Sequence, residues 1–179
     1  MANPVLLLST SVSWVVHVAF VVAAFWWGES GIPFFYCVVL LTGLATSALN
    51  HGGNNAVFRW GDRAFVSACC VLDLKMAARL GRGPHIAATA SILGCVASFV
   101  AAKNVKKDYR RSSVHVPISK ELLLRPQLRP GDGWHLLCHF FATFTHGVIV
   151  LGMAGLLGPA PEWEPIRNPW LSGTSGFLL

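Results

Sequence analysis

Five long apolar segments dominate this sequence and restrict what it can fold into. A helix needs about 20 mostly apolar residues to cross a bilayer. Only 12% of the residues are charged, whereas soluble domains carry roughly 25%. The sequence therefore predicts an all-α fold, a multipass transmembrane helix bundle, with spans at about 5–27, 32–51, 64–81, 84–102 and 134–157.

The other segments are polar or rich in proline, and they divide the chain into a bundle over 1–157 and a tail over 158–179. Residues 103–132 carry too many charges to span, so they predict a basic loop between the fourth and fifth helices. The tail holds four prolines together with Trp163 and Trp170. Proline prevents a long helix and tryptophan favours the membrane–water interface, so the tail is predicted to lie along that interface.

The positive charge is concentrated on one predicted side of the membrane. The net charge is +6, and the loops after the second and fourth segments carry ten lysines and arginines, against three on the opposite side. By the positive-inside rule, the N-terminus and these loops face the cytoplasm or the equivalent inner face of an organelle. The location of these charges favours a role in membrane topology over nucleic-acid binding. The basic loop is either a solvated topology signal or a site for anionic headgroups, so membrane lipids are the expected partners.

Two pairs of polar residues with a spacing of four interrupt the apolar segments. Ser47 and His51 end the second segment, and His135 and His139 begin the fifth. Residues four apart share one face of a helix. The second segment ends and the fifth begins on the inner side, so both pairs are expected in the same leaflet. Ionisable side chains at membrane depth are costly and usually face a bundle interior, where they carry function.

This convergence favours a metal site built from His51, His135 and His139. Neutral imidazole is a good zinc ligand, and three protein ligands leave a fourth position for water. Zinc can lower the pKa of such a water to about 7. The alternative is that the three histidines form hydrogen bonds between helices or lie at the interface.

Two further residues are the candidate catalytic groups. Asp73 could act as general base, and Ser47 could orient a water by hydrogen bonding. Asp73 lies about nine residues into the third predicted span, roughly 14 Å deep, which disfavours direct ligation and suits a role behind the ligands. Alternatively, Asp73 pairs with Lys75 or an arginine, and Ser47 bonds to a backbone carbonyl of its own helix.

His146 and His17 provide a rival cofactor hypothesis. His146 lies about three turns beyond His135, near the middle of the bilayer. It could be a core hydrogen-bonding residue, or it could clamp a haem together with His17 of the first segment. From the residues alone, both zinc and haem are therefore considered.

The order of these motifs resembles the CREST superfamily, which contains the alkaline ceramidases, the progestin and adipoQ receptors, and relatives such as myomaker. The five matching positions are Ser47 and His51 in the second helix, Asp73 in the third, and His135 and His139 in the last. The resemblance implies a zinc held by the three histidines, with Ser47 and Asp73 near its water. It also implies hydrolysis of lipid amides such as ceramides.

The chain departs from that family in two ways. The family usually has seven helices, whereas five are predicted here, with the loop 103–132 in place of one pair. The step from His51 to Asp73 is also longer than the family's link between its second and third helices. Two functions therefore stand side by side. One is a zinc-dependent lipid amide hydrolase, and the other is a non-enzymatic accessory subunit or scaffold of a larger membrane complex.

Overall fold

In a computed structural model, the chain forms five α-helices, and the structure describes residues 3–28, 34–53, 55–112 and 129–159. The helices are α1 (Pro4–Trp27), α2 (Phe34–Gly52), α3 (Ala56–Ala77), α4 (Arg82–Ser112) and α5 (Asp132–Met153). The described ranges contain no strand, so the predicted all-α class is confirmed.

Helix α5 lies at the centre of the bundle, where it packs against α1, α3 and α4. Its second half is buried and includes Val148, Ile149 and Met153. The close approach of α1 leaves little room at Gly147, because a Cβ there would lie 2.5 Å from the ring of Phe20. Helix α2 packs against α1 and α3, and its described backbone makes no close contact with α5.

Polar contacts fix the end of the bundle that contains the start of α1, the end of α2 and the start of α5, here called the inner end. The Asn3 side chain caps α1 by accepting from the Leu6 amide and donates to Asp132 over 3.0 Å. Asp132 also pairs with Lys106 of α4, with 3.2 Å between nitrogen and oxygen. The Asn3 amide donates to the carbonyl of His51 over 2.9 Å. These contacts join α1, α2, α4 and α5 at this end.

Within the part of the chain that the structure describes, three helices are long and apolar enough to cross a membrane: α1, the part of α4 over 82–109, and α5. Large apolar side chains such as Val15, Trp26 and Leu93 point outward, as expected for surfaces that face lipid. This agrees with part of the sequence prediction, which had five spans.

Two predicted boundaries differ from the structure. Helix α4 continues to Ser112, so residues 103–112 are helical rather than part of a loop. Its lysines and arginines are good helix formers, and a charged helix can extend past the apolar layer. Helix α3 begins at Ala56 rather than at 64, because the Asn55 side chain caps it by accepting from the Val57 amide over 2.8 Å. The rest of the predicted loop, 113–128, and the tail from 160 lie outside the described residues.

Candidate metal centre

The three predicted ligand histidines meet at the inner end of the bundle. The ring centroid of His51 lies 5.1 Å from that of His135 and 5.3 Å from that of His139, and the last two are 5.0 Å apart. One ligand nitrogen from each ring lies within 4.8 Å of the other two. The group could therefore hold a metal ion, as the sequence predicted.

Local structure explains why the rings converge. His135 and His139 lie one turn apart in the first turns of α5, so they share a face. His51 lies in the last turn of α2, where its carbonyl is tied to Asn3. The side chains bridge a gap between two helices whose backbones do not pack directly. An ion bound by all three rings would join α2 to α5.

The hydrogen bonds around the rings fit a metal ligand set. Nε2 of His51 is buried and has no hydrogen-bond partner, which is costly for a polar atom unless something else binds it. Nδ1 of His139 lies 2.9 Å from the Ser9 hydroxyl, which leaves Nε2 of that ring for an ion. Ligand nitrogens on a tetrahedral zinc lie roughly 3.4 Å apart, from bonds of about 2.0–2.1 Å. Small side-chain movements would close the observed separations.

Asp62 is a carboxylate beside His51 that was not among the residues predicted from the sequence, and Asp132 is a second carboxylate that faces His51 and His135. Oδ2 of Asp62 accepts a hydrogen bond from the Asn50 side chain over 2.7 Å. The same carboxylate interacts with Ser47 and with His51. Its Oδ1 is buried without a hydrogen-bond partner. Ser47 therefore contacts Asp62, and its predicted role in orienting a water stays a prediction.

The depth of Asp62 is the signal that points to it. Asp62 lies near the start of α3, at the same inner end as the end of α2. Because the third span was predicted to begin at 64, Asp62 fell before that span and was not a candidate. The acidic role was given to Asp73 instead, although the depth of Asp73 and its distance in sequence from His51 fit that role poorly.

Asp73 lies in a separate network. Its Oδ1 accepts from the Tyr36 hydroxyl over 2.7 Å, and its Oδ2 lies 3.0 Å from Nε2 of His146. These two partners, rather than Lys75, are the neighbours of its carboxylate. Its proposed role as general base at the metal stays a prediction, which its hydrogen bonds do not favour.

The haem hypothesis is wrong. Nε2 of His17 and Nδ1 of His146 are 2.6 Å apart and hydrogen-bonded to each other. A haem iron would have to lie between the two nitrogens, and no space for it remains. His146 is instead a core hydrogen-bonding residue, which was the other interpretation of that position.

Comparisons with protein-family models, with curated proteins and with solved structures found no match. The assignment of this site therefore depends on its residues and their geometry. The resemblance to the CREST superfamily stays a prediction.

Proposed function

We propose that the protein is a membrane-embedded zinc hydrolase of lipid amides, with His51, His135 and His139 as the metal ligands. The observation that carries this proposal is the convergence of three imidazoles. Nε2 of His51 is buried without a hydrogen-bond partner, and so is Oδ1 of Asp62, whose carboxylate interacts with His51. An acidic oxygen beside an open metal site is the arrangement that hydrolytic chemistry needs.

The donor set supports zinc. Three neutral nitrogen donors without a thiolate suit zinc, and they leave the open position that catalytic sites keep. Cys138 is adjacent to a ligand in sequence, but its Sγ lies 3.4 Å from Sγ of Cys95 on α4 and is not part of the group of ligand atoms that could share an ion. The resemblance of the motifs to the CREST superfamily points to the same metal.

Side chains around the site would transfer the proton and orient the ligands. When bound, zinc supplies a Lewis acid that activates water and polarises a carbonyl. Asn50 holds Oδ2 of Asp62, so Oδ1 is the atom free to take a proton and later to give it to the leaving amine. Ser47 interacts with the same carboxylate and helps fix its orientation. Ser9 fixes the ring of His139.

The position of the site supports a lipid substrate. His135 and His139 lie within the first turns of an apolar helix, about where a headgroup meets the acyl chains. The Phe99 ring lies 6.2 Å from that of His135, and Lys103 stacks over Phe99 at 4.4 Å. An apolar wall topped by a cation suits a molecule with a polar head and a long tail.

Turnover of a fluorescent ceramide by the purified protein tests this function. Asp62→Asn keeps an acceptor for Asn50 but cannot take a proton, so turnover is expected to fall about 100-fold or more while zinc stays bound. Asp108→Asn, an exposed change on α4, is the matched control and keeps full turnover. Equal activity of the Asp62→Asn and Asp108→Asn proteins would contradict the proposed role of Asp62.

A second candidate is a scaffold or accessory subunit in which the metal only joins helices. It is favoured by the missing direct packing between the described parts of α2 and α5, since an ion would then tie them together. The scaffold would be supported if the protein binds one equivalent of zinc but turns over no amide lipid in a panel of ceramides and acylated amines.

A further inference from the structure

A second cluster of ionisable side chains lies deeper in the bundle. His17 of α1, Tyr36 of α2, Asp73 of α3 and His146 of α5 are 2%, 0%, 4% and 8% exposed. Hydrogen bonds join them in one line that begins at the carbonyl of Ser13. None of these four side chains bonds to a predicted metal ligand.

The line contains four hydrogen bonds, which join the Ser13 carbonyl to His17, His17 to His146, His146 to Asp73, and Asp73 to Tyr36. Each of these bonds needs one proton. Nδ1 of His17 lies 2.6 Å from the Ser13 carbonyl, which can only accept, so Nδ1 donates. If this imidazole is neutral, its Nε2 must accept, and Nδ1 of His146 must donate to it over 2.6 Å. If His146 is also neutral, its Nε2 is an acceptor that faces Oδ2 of Asp73 at 3.0 Å.

Two acceptors cannot form that last bond without another proton. The Tyr36 hydroxyl donates its proton to Oδ1 of Asp73, so it cannot supply the missing one. Two neutral imidazoles and one phenol supply three protons for four bonds, when Asp73 is ionised. The line is complete only when one more proton lies between His146 and Asp73.

We propose that His17, His146, Asp73 and Tyr36 form a buried proton-binding site that holds one extra proton between His146 and Asp73. This proton makes the cluster neutral overall, whether it resides on the imidazole or on the carboxylate. A neutral cluster avoids the large cost of an uncompensated charge in the core.

The titratable neighbours shown for this cluster among the described residues include no cation that would neutralise Asp73. The other titratable groups that face the cluster in the described residues are thiols: Cys37 on α2, Cys69 and Cys70 on α3, and Cys95 on α4. Thiols are not cations, so none of them can balance a carboxylate. The proton is the only compensating charge that these neighbours allow.

The line stores a proton and does not conduct one. Its inner end is a backbone carbonyl, which cannot pass a proton on. The next polar contact, from the Thr143 hydroxyl to the Ser13 hydroxyl over 2.9 Å, is not hydrogen-bonded to His17. At its other end, Tyr36 is fully buried.

Proton storage makes the fold pH-dependent with a definite sign. In the unfolded chain, above a pH of about 6.5, both histidines are neutral and Asp73 is ionised, so the extra proton is absent. The folded state then binds one proton more than the unfolded state. Stability therefore falls as the pH rises above about 6.5, by up to tenfold in the folding equilibrium constant per pH unit.

Asp73→Asn tests the proposal, because an asparagine completes all four bonds without the extra proton. Its amide donates to Nε2 of His146, and its oxygen accepts from Tyr36. In detergent micelles between pH 6.5 and 9, we expect the wild-type midpoint of thermal unfolding to fall more steeply than that of Asp73→Asn. Asp108→Asn is the control and keeps the wild-type slope. The metal histidines titrate equally in all three proteins, so their contribution cancels.

Equal slopes for wild type and Asp73→Asn would overturn the proposal. Should Asp73→Asn fail to fold, the wild-type protein can be tested directly at pH 8. Nitrogen-15 NMR of the imidazoles and infrared spectroscopy of the carboxyl groups count the protons. A doubly protonated His17 or His146, or a protonated Asp73, is expected. Two singly protonated imidazoles, of His17 and His146, beside an ionised Asp73 would overturn it.

Discussion

Asp62 and Asp73 both belong to α3, and their neighbours give the two carboxylates different chemistry. Asp62 lies beside His51 and keeps one oxygen without a hydrogen-bond partner. Asp73 has both oxygens in hydrogen bonds, to Tyr36 and to His146. An oxygen that is free of partners can exchange a proton with a substrate, whereas one fixed in a closed network cannot. Residue type alone does not separate these two roles.

Ser9 is expected to strengthen metal binding through His139. Its hydroxyl lies 2.9 Å from Nδ1 of that ring and fixes the orientation of Nε2. Loss of such a partner typically costs 10- to 100-fold in metal affinity. We predict that Ser9→Ala weakens zinc binding about tenfold or more in a competition titration with a chelator.

The control for this prediction lies two residues away. The hydroxyl of Ser11 is exposed and donates to the Leu7 carbonyl of its own helix. Ser11→Ala should therefore bind zinc like the wild type. Similar zinc affinities for Ser9→Ala and Ser11→Ala would show that the hydroxyl of Ser9 does not orient the ligand.

The start of α5 decides where two of the ligands lie. Gly131 has a φ of 84°, which an L-residue adopts only with strain. A Cβ at Gly131 would also lie 2.6 Å from the carbonyl oxygen of Ala102. We predict that Gly131→Ala lowers the unfolding free energy by more than about 1 kcal/mol and weakens zinc binding.

Gly133→Ala is the matched change, because this glycine is helical and a Cβ there meets open space. It should raise the unfolding free energy by roughly 0.5–1 kcal/mol, since alanine favours a helix. Thermal unfolding of both variants measures the difference. A Gly131→Ala protein as stable as Gly133→Ala would argue against a strained start of α5.

The elements that could be predicted from the sequence are those with a strong periodic or apolar signal. The pairing of His135 with His139 follows from helical periodicity, and their meeting with His51 follows from topology. The start of α3 could not be predicted, because its first turns are too polar to extend an apolar span, and Asp62 was missed with it. The bond between His17 and His146 depends on side-chain directions, which periodicity does not determine.

At the scale of the whole molecule, the metal ion is expected to stabilise the fold by joining two helices. The described parts of α2 and α5 do not pack directly, so the metal would join them through His51 on one side and two histidines on the other. A ligand present at 100 times its Kd stabilises a fold by about 2.7 kcal/mol. We predict that a chelator lowers the midpoint of thermal unfolding of the wild-type protein.

His51→Ala provides the comparison for that experiment. With one ligand removed, the metal no longer joins the two helices, so the chelator should leave the midpoint of this variant unchanged. A chelator effect of equal size in both proteins would place the responsible metal elsewhere.

Zinc K-edge X-ray absorption of the purified protein tests the central claim most directly, because it reports which atoms bind the metal. We predict one zinc per chain with three histidine nitrogens at about 2.0–2.1 Å, and loss of this signal in His51→Ala. Protein that binds no zinc when it is supplied, or zinc with sulfur ligands at about 2.3 Å, would contradict a centre built from His51, His135 and His139.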